Sequence, residues 1–302
     1  MKKPKVLVIV GPTASGKTGL GIALAKRFHG EVISADSRQV YRGLDLGSGK
    51  VTKEEMDEVP HHMLDVVDPK TVYTVNEYVH DARSILADIH QRGLTPLVVG
   101  GSLFYVDALL GRVSLPKVPP NDTLRRELDS MSTEELLVYL KKHDPRRANE
   151  IDKNNRRRLI RAIEISAELG SVPLPYSEPL YDALILGIEI EKEKLKENIH
   201  TRLITRIEKG MVEEVENLHK NGLSYDRLES LGLEYRYVAQ HLRGELPYCE
   251  LITRLETKIY QFAKRQMTWL KRDAEIVWVK KDELASIEKR VKEFLDSEEF
   301  PH

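Results

Sequence analysis

A chain of 302 residues is long enough for one large α/β domain, with or without a smaller one attached. Apolar residues at 41% and charged residues at 31% describe an ordinary globular balance, and no apolar run reaches the ~20 residues that a membrane helix needs. A net charge of −1 gives no overall field that would recruit nucleic acid, and a single cysteine, Cys249, excludes an internal disulfide and a multi-cysteine zinc site.

The first segment, Met1 to Gly11, enters a strand and turn at once, without the basic, apolar and small-residue succession of a secretory signal, so the expected location is the cytoplasm. Lys5 to Val10 (KVLVIV) reads as a buried central strand of a parallel sheet. Similar runs end at Asp36 (VISAD), Asp68 (LDVVD), Gly100 (PLVVG), Glu189 (LILGIE) and Val279 (EIVWV). Between them lie helical patterns: Leu20, Leu24 and Phe28, then Val79, Ile85 and Ile89. Strands alternating with helices predict a doubly wound α/β fold, a parallel sheet flanked by helices, which the glycine-rich loop from Gly11 to Thr18 makes P-loop NTPase-like.

From Val118 to Asp182 the alternation stops and the text turns helical and highly charged (LRRELDSM, TEELLVYLKKH, RRRLIRAIEISAEL), with Pro116, Pro119 and Pro120 before it and Pro173, Pro175 and Pro179 after it. The expected organisation is a core over residues 1–115, a small all-helical insertion over 116–182 and a return to the core over 183–302. In the last part Leu195 to His219 predicts one long helix with Leu195, Ile199, Leu203, Ile207, Met211, Val215 and Leu218 on its face, stopped by Asn221-Gly222. Leu251 to Leu270 predicts another, with Leu251, Leu255, Ile259, Phe262 and Trp269 inward. No apolar helix face is left unexplained, so a monomer is expected.

Gly11-Pro12-Thr13-Ala14-Ser15-Gly16-Lys17-Thr18 fits G-x-x-x-x-G-K-[ST], follows a predicted strand and opens a helix. Such a loop aims backbone N–H groups at an anion, with the helix N-terminus and Lys17 adding positive charge and Thr18 placed to hold Mg²⁺. It specifies a polyphosphate, ATP or another, and leaves open whether phosphate is transferred, hydrolysed or simply departs. Asp36 then leaves the second predicted strand at the carboxyl edge, where open α/β sheets bind ligands. Three roles are open to it: Mg²⁺ ligand, general base, or a carboxylate that caps the turn at Ser37 through Asx geometry.

GPTASGKT (Gly11 to Thr18), ISADSRQVYRGLDLGSGK (Ile33 to Lys50), HHMLDVVDP (His61 to Pro69), LVVGGSLFYVDALLG (Leu97 to Gly111), NNRRRLIRAIEI (Asn154 to Ile165), GMVEEV (Gly210 to Val215) and FAKRQMTWLKR (Phe262 to Arg272) occur in this order. Together they resemble the tRNA dimethylallyltransferases, the tRNA isopentenyltransferase family, over nearly the whole chain. The resemblance implies transfer of a dimethylallyl group from its diphosphate to N6 of adenine 37, beside the anticodon of tRNA. The implied partners are the tRNA anticodon stem-loop and dimethylallyl diphosphate, and the implied cofactor is Mg²⁺. Asp36 is then the base, and Thr13 the threonine that contacts the diphosphate near the reacting carbon. Gly11 to Thr18 and Arg206 hold the diphosphate, with Arg202 on the same helix face as Arg206. Asp36, Ser37, Arg38 and Gln39 align with the segment that reads the flipped adenine, to whose edge an amide such as Gln39 is suited. Ser102, Arg125, Arg157, Arg158, Arg161, Lys264 and Arg265 align with further tRNA contacts, the last five within two basic clusters. Solvated helix faces are the alternative for those clusters, and core packing the preferred place for Trp269. Leu103 stands where most members of the family have glycine, and Gly47-Ser48-Gly49-Lys50-Val51 where G-T-A-K-P is frequent. The competing functions are prenylation of a free adenine nucleotide, phosphoryl transfer from ATP, and tRNA binding without turnover.

Overall fold

The computed structural model describes residues 3–174 and 178–297; Pro175, one of the prolines expected to mark the exit from the insertion, lies outside them. By compactness the chain divides into Met1–Gly111 with Pro179–His302, and Arg112–Glu178. The larger unit begins with β1 (Lys5–Val10), α1 (Lys17–Arg27), β2 (Gly30–Ser34), α2 (Lys53–Met56), β3 (His61–His62), α3 (Val75–Gln91), β4 (Thr95–Gly100) and α4 (Leu103–Leu109). The smaller unit contains α5 (Asp122–Asp129), α6 (Thr133–His143), α7 (Pro145–Glu150) and α8 (Arg156–Leu169). The larger unit resumes with β5 (Asp182–Ile188), α9 (Lys192–Glu208), α10 (Met211–Lys220), α11 (Tyr225–Ser230), α12 (Leu233–Leu242), α13 (Tyr248–Leu270), β6 (Ile276–Val279) and α14 (Leu284–Asp296).

The six strands form one parallel sheet in the order β3-β2-β4-β1-β5-β6. The apolar runs of β1 and β4 lie at its centre, and Leu7, Ile9, Leu97, Val99 and Leu186 pack with Leu20 and Leu24 of α1 and with Ile287 and Val291 of α14. Chains covered on both faces need such continuous apolar strands, and parallel order turns every carboxyl end to one edge. The smaller unit has a core of its own, in which Leu128, Leu136, Leu140, Leu159 and Ile163 are fully buried.

Three expectations are corrected. The run Leu64 to Asp68 is not a strand: left-handed backbone at Met63 (φ 62°) and Asp65 (φ 56°) breaks it, β3 lies just before, and Val67 makes only an isolated bridge with Tyr41. The helix expected from Leu195 to His219 is two, because Gly210 adopts φ 97° between α9 and α10. On α13 the buried face is Leu251, Leu255, Ile259, Ala263, Gln266 and Leu270, which leaves Phe262 and Trp269 exposed. Trp269 is therefore a surface residue and not part of the core.

The short edge strand β3 is held electrostatically. Glu31 on β2 receives Nη1 and Nη2 of Arg92 at 2.6 and 2.7 Å and hydrogen-bonds Nε2 of His62 at 2.7 Å. The Arg92 hydrogen bonds, against the cost of burial and with help from His62, lower the Glu31 carboxyl from 4.5 to about 2. A depressed carboxyl stabilises the fold above its unfolded-state pKa and loses that contribution as pH falls towards the folded value. Glu31→Gln is therefore expected to cost roughly 1–3 kcal/mol at neutral pH. Urea unfolding at pH 7 and near pH 3 checks this, the gap to wild type being smaller in acid.

Candidate functional site

Three loops meet at the carboxyl edge of the sheet, following β1, β2 and β4. Gly100 closes β4 so near the end of β2 that a Cβ there would lie 2.1 Å from the Ala35 carbonyl oxygen, and one on Gly101 would lie 2.6 Å from Nε2 of Gln266. Glycine at position 100 thus permits a backbone approach that any side chain would prevent, and glycine at position 101 leaves room for the Gln266 amide. Ser102 completes the junction: its N–H donates to the Ala35 carbonyl at 3.1 Å and its Oγ accepts the Ser37 N–H at 3.0 Å. Leu103, beside it, lies in the first turn of α4 without left-handed backbone, so the absence of glycine there imposes no strain.

The loop after β1 has the form expected of an anion cradle. Gly16 caps α1 in left-handed conformation (φ 94°), and the backbone N–H groups of Lys17 and Thr18 in the first helical turn have no protein partner among the described residues. Gly11 and Pro12 are buried, as is Ala14, whose carbonyl accepts Nδ2 of Asn198 at 3.0 Å. The Ser15 hydroxyl is buried with no partner, and none is found for the hydroxyls of Thr13 or Thr18 among the described residues. Lys17 is half-buried and turns its ammonium back onto the Pro12 carbonyl at 2.7 Å. Burial first, then the charge of Arg202, lowers its pKa to about 8, while Asp36 acts in the opposite direction. A cation, a second cation and a carboxylate therefore share one electrostatic environment.

Asp36 sits just beyond β2. Its Oδ1 accepts the Arg38 N–H at 2.8 Å, an Asx geometry, and Oδ2 has no donor among the described residues. Arg38 is half-buried, and its guanidinium has no partner among the described residues. Gln39 is placed differently from the expectation that it faces an adenine: Nε2 donates to the Gly49 carbonyl and Oε1 accepts the Ser34 hydroxyl, both at 3.2 Å. Its amide holds the Leu44 to Lys50 loop.

That loop is also clamped by Glu214, which accepts the N–H groups of Asp45, Leu46 and Gly47 at 3.1, 2.6 and 3.0 Å and the Tyr235 hydroxyl at 2.8 Å. Arg206 on α9 is tied to the same loop through the carbonyls of Leu46 and Gly47 at 3.1 and 3.2 Å, and pairs with Glu234 at 2.9 Å. Arg202, one turn earlier, has no ion pair among the described residues, and its Nη2 lies 2.9 Å from where a Cβ on Gly49 would be. The sequence reading paired Arg202 with Arg206 on one face; the structure makes Arg202 the less committed of the two.

On α13 the side chains of Lys264 and Arg265 are exposed, Arg265 lying 5.9 Å from the ring centroid of Phe262. Sequence reasoning passed over Gln266, only 7% exposed, which accepts the Thr13 N–H at 2.8 Å and donates to the Gly101 carbonyl at 2.9 Å. The available signal was a polar residue on an otherwise apolar helix face.

In the smaller unit the four expected arginines divide. Arg125 forks onto Glu164 at 2.6 and 3.0 Å; Arg161 reaches Glu164 at 3.2 Å and the Val118 carbonyl at 2.8 Å. The Glu164 side chain is wholly buried and also accepts the Asn121 N–H at 2.9 Å, so these two arginines serve the fold. Arg157 and Arg158 are exposed on α8, and their side chains have no partner among the described residues.

Among the described residues no cluster of three or more His, Cys, Asp or Glu side chains is disposed to hold a metal ion, and no helix is long and apolar enough to cross a membrane.

The family model described as IPP transferase matches residues 39–273. The tRNA dimethylallyltransferase 1 of Geotalea uraniireducens is 47% identical over 270 residues, 88% of each chain. Among solved structures, the full-length tRNA isopentenylpyrophosphate transferase from Bacillus halodurans aligns over 97% of both chains with a TM-score of 0.75 and 35% identity. A eukaryotic dimethylallyltransferase acting on tRNA aligns over 99% of this chain and 81% of its own with a TM-score of 0.85 and 26% identity. The chain belongs to the IPP transferase family.

Proposed function

We propose that the protein transfers a dimethylallyl group from dimethylallyl diphosphate to the exocyclic N6 of adenine 37, beside the anticodon of tRNA, releasing diphosphate. The observation that carries this reading is a glycine-rich loop with open N–H groups at Lys17 and Thr18, on the same sheet edge as the Asp36 carboxylate, whose Oδ2 has no donor among the described residues. A displacement at carbon needs both: charge to receive the departing diphosphate and a base for the attacking amine.

In this reading the N–H groups of Lys17 and Thr18, the Ser15 hydroxyl and the Lys17 ammonium hold the diphosphate, with Arg202 and Arg206 adding charge from α9. The Thr13 hydroxyl lies beside the oxygen that leaves. As the C–O bond breaks and the N6–C bond forms, Asp36 Oδ2 takes the N6 proton. The adenine lone pair is delocalised into the ring, so removal of that proton is worth ~10²–10⁴ in rate. Thr18, in the first turn after the loop, is the residue that would hold Mg²⁺ together with the phosphate oxygens and water. When bound it neutralises charge on the leaving group. An anticodon-loop base is already single-stranded, which lowers the cost of extruding it. Asp36, Ser37 and Arg38 then face the adenine, with Gln39 supporting them from behind. Lys264, Arg265, Arg157 and Arg158 supply cations for tRNA phosphates.

Labelled dimethylallyl diphosphate, Mg²⁺ and unmodified tRNA test the reading. Wild type is expected to label tRNA on N6 of adenine 37, and Asp36→Ala to lose ~10²–10⁴ in kcat. Absence of label with wild type, or equal turnover by Asp36→Ala, would contradict it.

A pH dependence follows from Lys17, whose ammonium loses its proton near pH 8 in the free enzyme. Diphosphate binding favours the charged form, so affinity for dimethylallyl diphosphate is expected to weaken as pH rises through about 8. In Lys17→Met, already weak, that pH effect is absent; direct binding titrations from about pH 7 to pH 9.5 measure it.

The basic residues of the smaller unit separate in a salt titration of tRNA binding. Arg157→Ala with Arg158→Ala is expected to reduce the salt slope by about 2 with little change in melting temperature. Arg125→Ala, which strips a buried carboxylate of its fork, is expected to cost roughly 1–3 kcal/mol of stability and leave the slope near wild type.

A further inference from the structure

We infer that Gln266 is a positioning residue that fixes the diphosphate side of the site against its base side, an inference that rests on the prenyl-transfer reading. Its amide lies on the buried face of α13, between Ala263 and Leu270. The Thr13 N–H can only donate and the Gly101 carbonyl can only accept, so the two bonds at 2.8 and 2.9 Å fix the orientation of the amide without ambiguity. From Gly101 the connection continues through Ser102, whose Oγ accepts the Ser37 N–H and whose own N–H binds the Ala35 carbonyl on the other side of Asp36. One side chain from a distant helix thus joins the loop that carries Thr13 to the turn that carries Asp36.

Two further observations support a role beyond filling the core. The position otherwise belongs to an apolar stripe, where a leucine would bury more apolar surface but would take the amide partner from the Thr13 N–H and the Gly101 carbonyl. The Thr13 N–H that Gln266 occupies is withdrawn from the anion-binding set, while those of Lys17 and Thr18 stay open. The amide therefore sets the path of the loop at Thr13 without contacting the diphosphate. Each substrate retains its own contacts when the amide is lost; what changes is the distance and angle between the reacting carbon and the base. Misplacement by about 1 Å costs on the order of 10² in rate.

The test uses the full chain with dimethylallyl diphosphate and tRNA. Gln266→Leu is expected to lower kcat about 10- to 100-fold, with KM for either substrate within about 3-fold of wild type. Gln266→Glu places a carboxylate against the Gly101 carbonyl; its protonated form accepts from Thr13 and donates to Gly101 as the amide does. Its kcat relative to wild type is therefore expected to rise as pH falls from about 8 to about 6, since burial raises a carboxyl pKa. Hydrogen exchange at the Thr13 amide, which requires no turnover, is expected to quicken in Gln266→Leu. Wild-type kcat in Gln266→Leu, a loss confined to KM or proportional to the unfolded fraction, a Gln266→Glu profile parallel to wild type, or unchanged exchange at Thr13 would each overturn the inference. Failure of wild type itself to label tRNA would instead overturn the prenyl-transfer reading, and exchange at Thr13 would still judge the clamp.

Discussion

The close approach of Gly100 to Ala35 is the constraint on which the rest of the site depends. Parallel strands carry their loops to one edge, but the sheet alone leaves neighbouring loops a strand spacing apart. Here the end of β4 turns against the end of β2 where no Cβ has room. Ser102 then bonds on either side of Asp36, to the Ala35 carbonyl and to the Ser37 N–H. Because β4 also pairs with β1, with Val10 beside Gly100, the same contact sets the carboxylate relative to the phosphate loop. Glycine at position 100 thereby brings the Asp36 carboxylate and the glycine-rich loop after β1 onto one edge.

Once that edge is built, its charge is left deliberately unbalanced. Several other cations of the larger unit have a carboxylate partner: Arg92 with Glu31, Lys50 with Asp45 and Asp65, Arg206 with Glu234. Lys17 has no such partner and turns to a carbonyl of its own loop, and Arg202 repels it. Concentrated like charge destabilises a free protein and stabilises its complex with a polyanion, since the repulsion is relieved when the anion arrives. The Ser15 hydroxyl is buried without a partner in the same loop, and such an unmet hydrogen bond costs stability.

The parts of this fold legible in the sequence are those written in continuous apolar runs or fixed motifs: β1, β2, β4, β5, β6, the phosphate loop and Asp36. What escaped was decided by backbone conformation or by a distant partner. Leu64 to Asp68 has strand composition, yet Met63 and Asp65 take left-handed conformations that composition does not encode. On α13, periodicity selected Phe262 and Trp269 for their apolarity, whereas the structure buries Ala263 and Gln266, one small and one polar, the amide bonding the Thr13 N–H and the Gly101 carbonyl. Gln39 is chemically suited to an adenine edge and equally suited to a carbonyl and a hydroxyl, and the fold supplies both. The glycine-to-leucine difference at position 103 looked consequential in sequence, but position 103 opens a helix and any residue can adopt its backbone.

The basic residues show why composition alone misleads about a nucleic-acid partner. A net charge of −1 suggests neutrality, and five basic residues between Lys153 and Arg161 suggest a single binding stripe. Neither holds once partners are assigned. Glu164, buried on α8, draws Arg125 and Arg161 into the fold, and Arg156 is spent on the carbonyls of Leu128 and Met131. Lys153, Arg157 and Arg158 remain exposed. Carboxylates thus remove some cations from solvent competition and leave others free, and the free ones gain most from a phosphate because they surrender no existing pair. For such a protein the informative quantity is the number of unpaired cations on each surface, since a balanced total is what a chain acquires when part of its positive charge is committed to folding and the remainder is reserved for a polyanion.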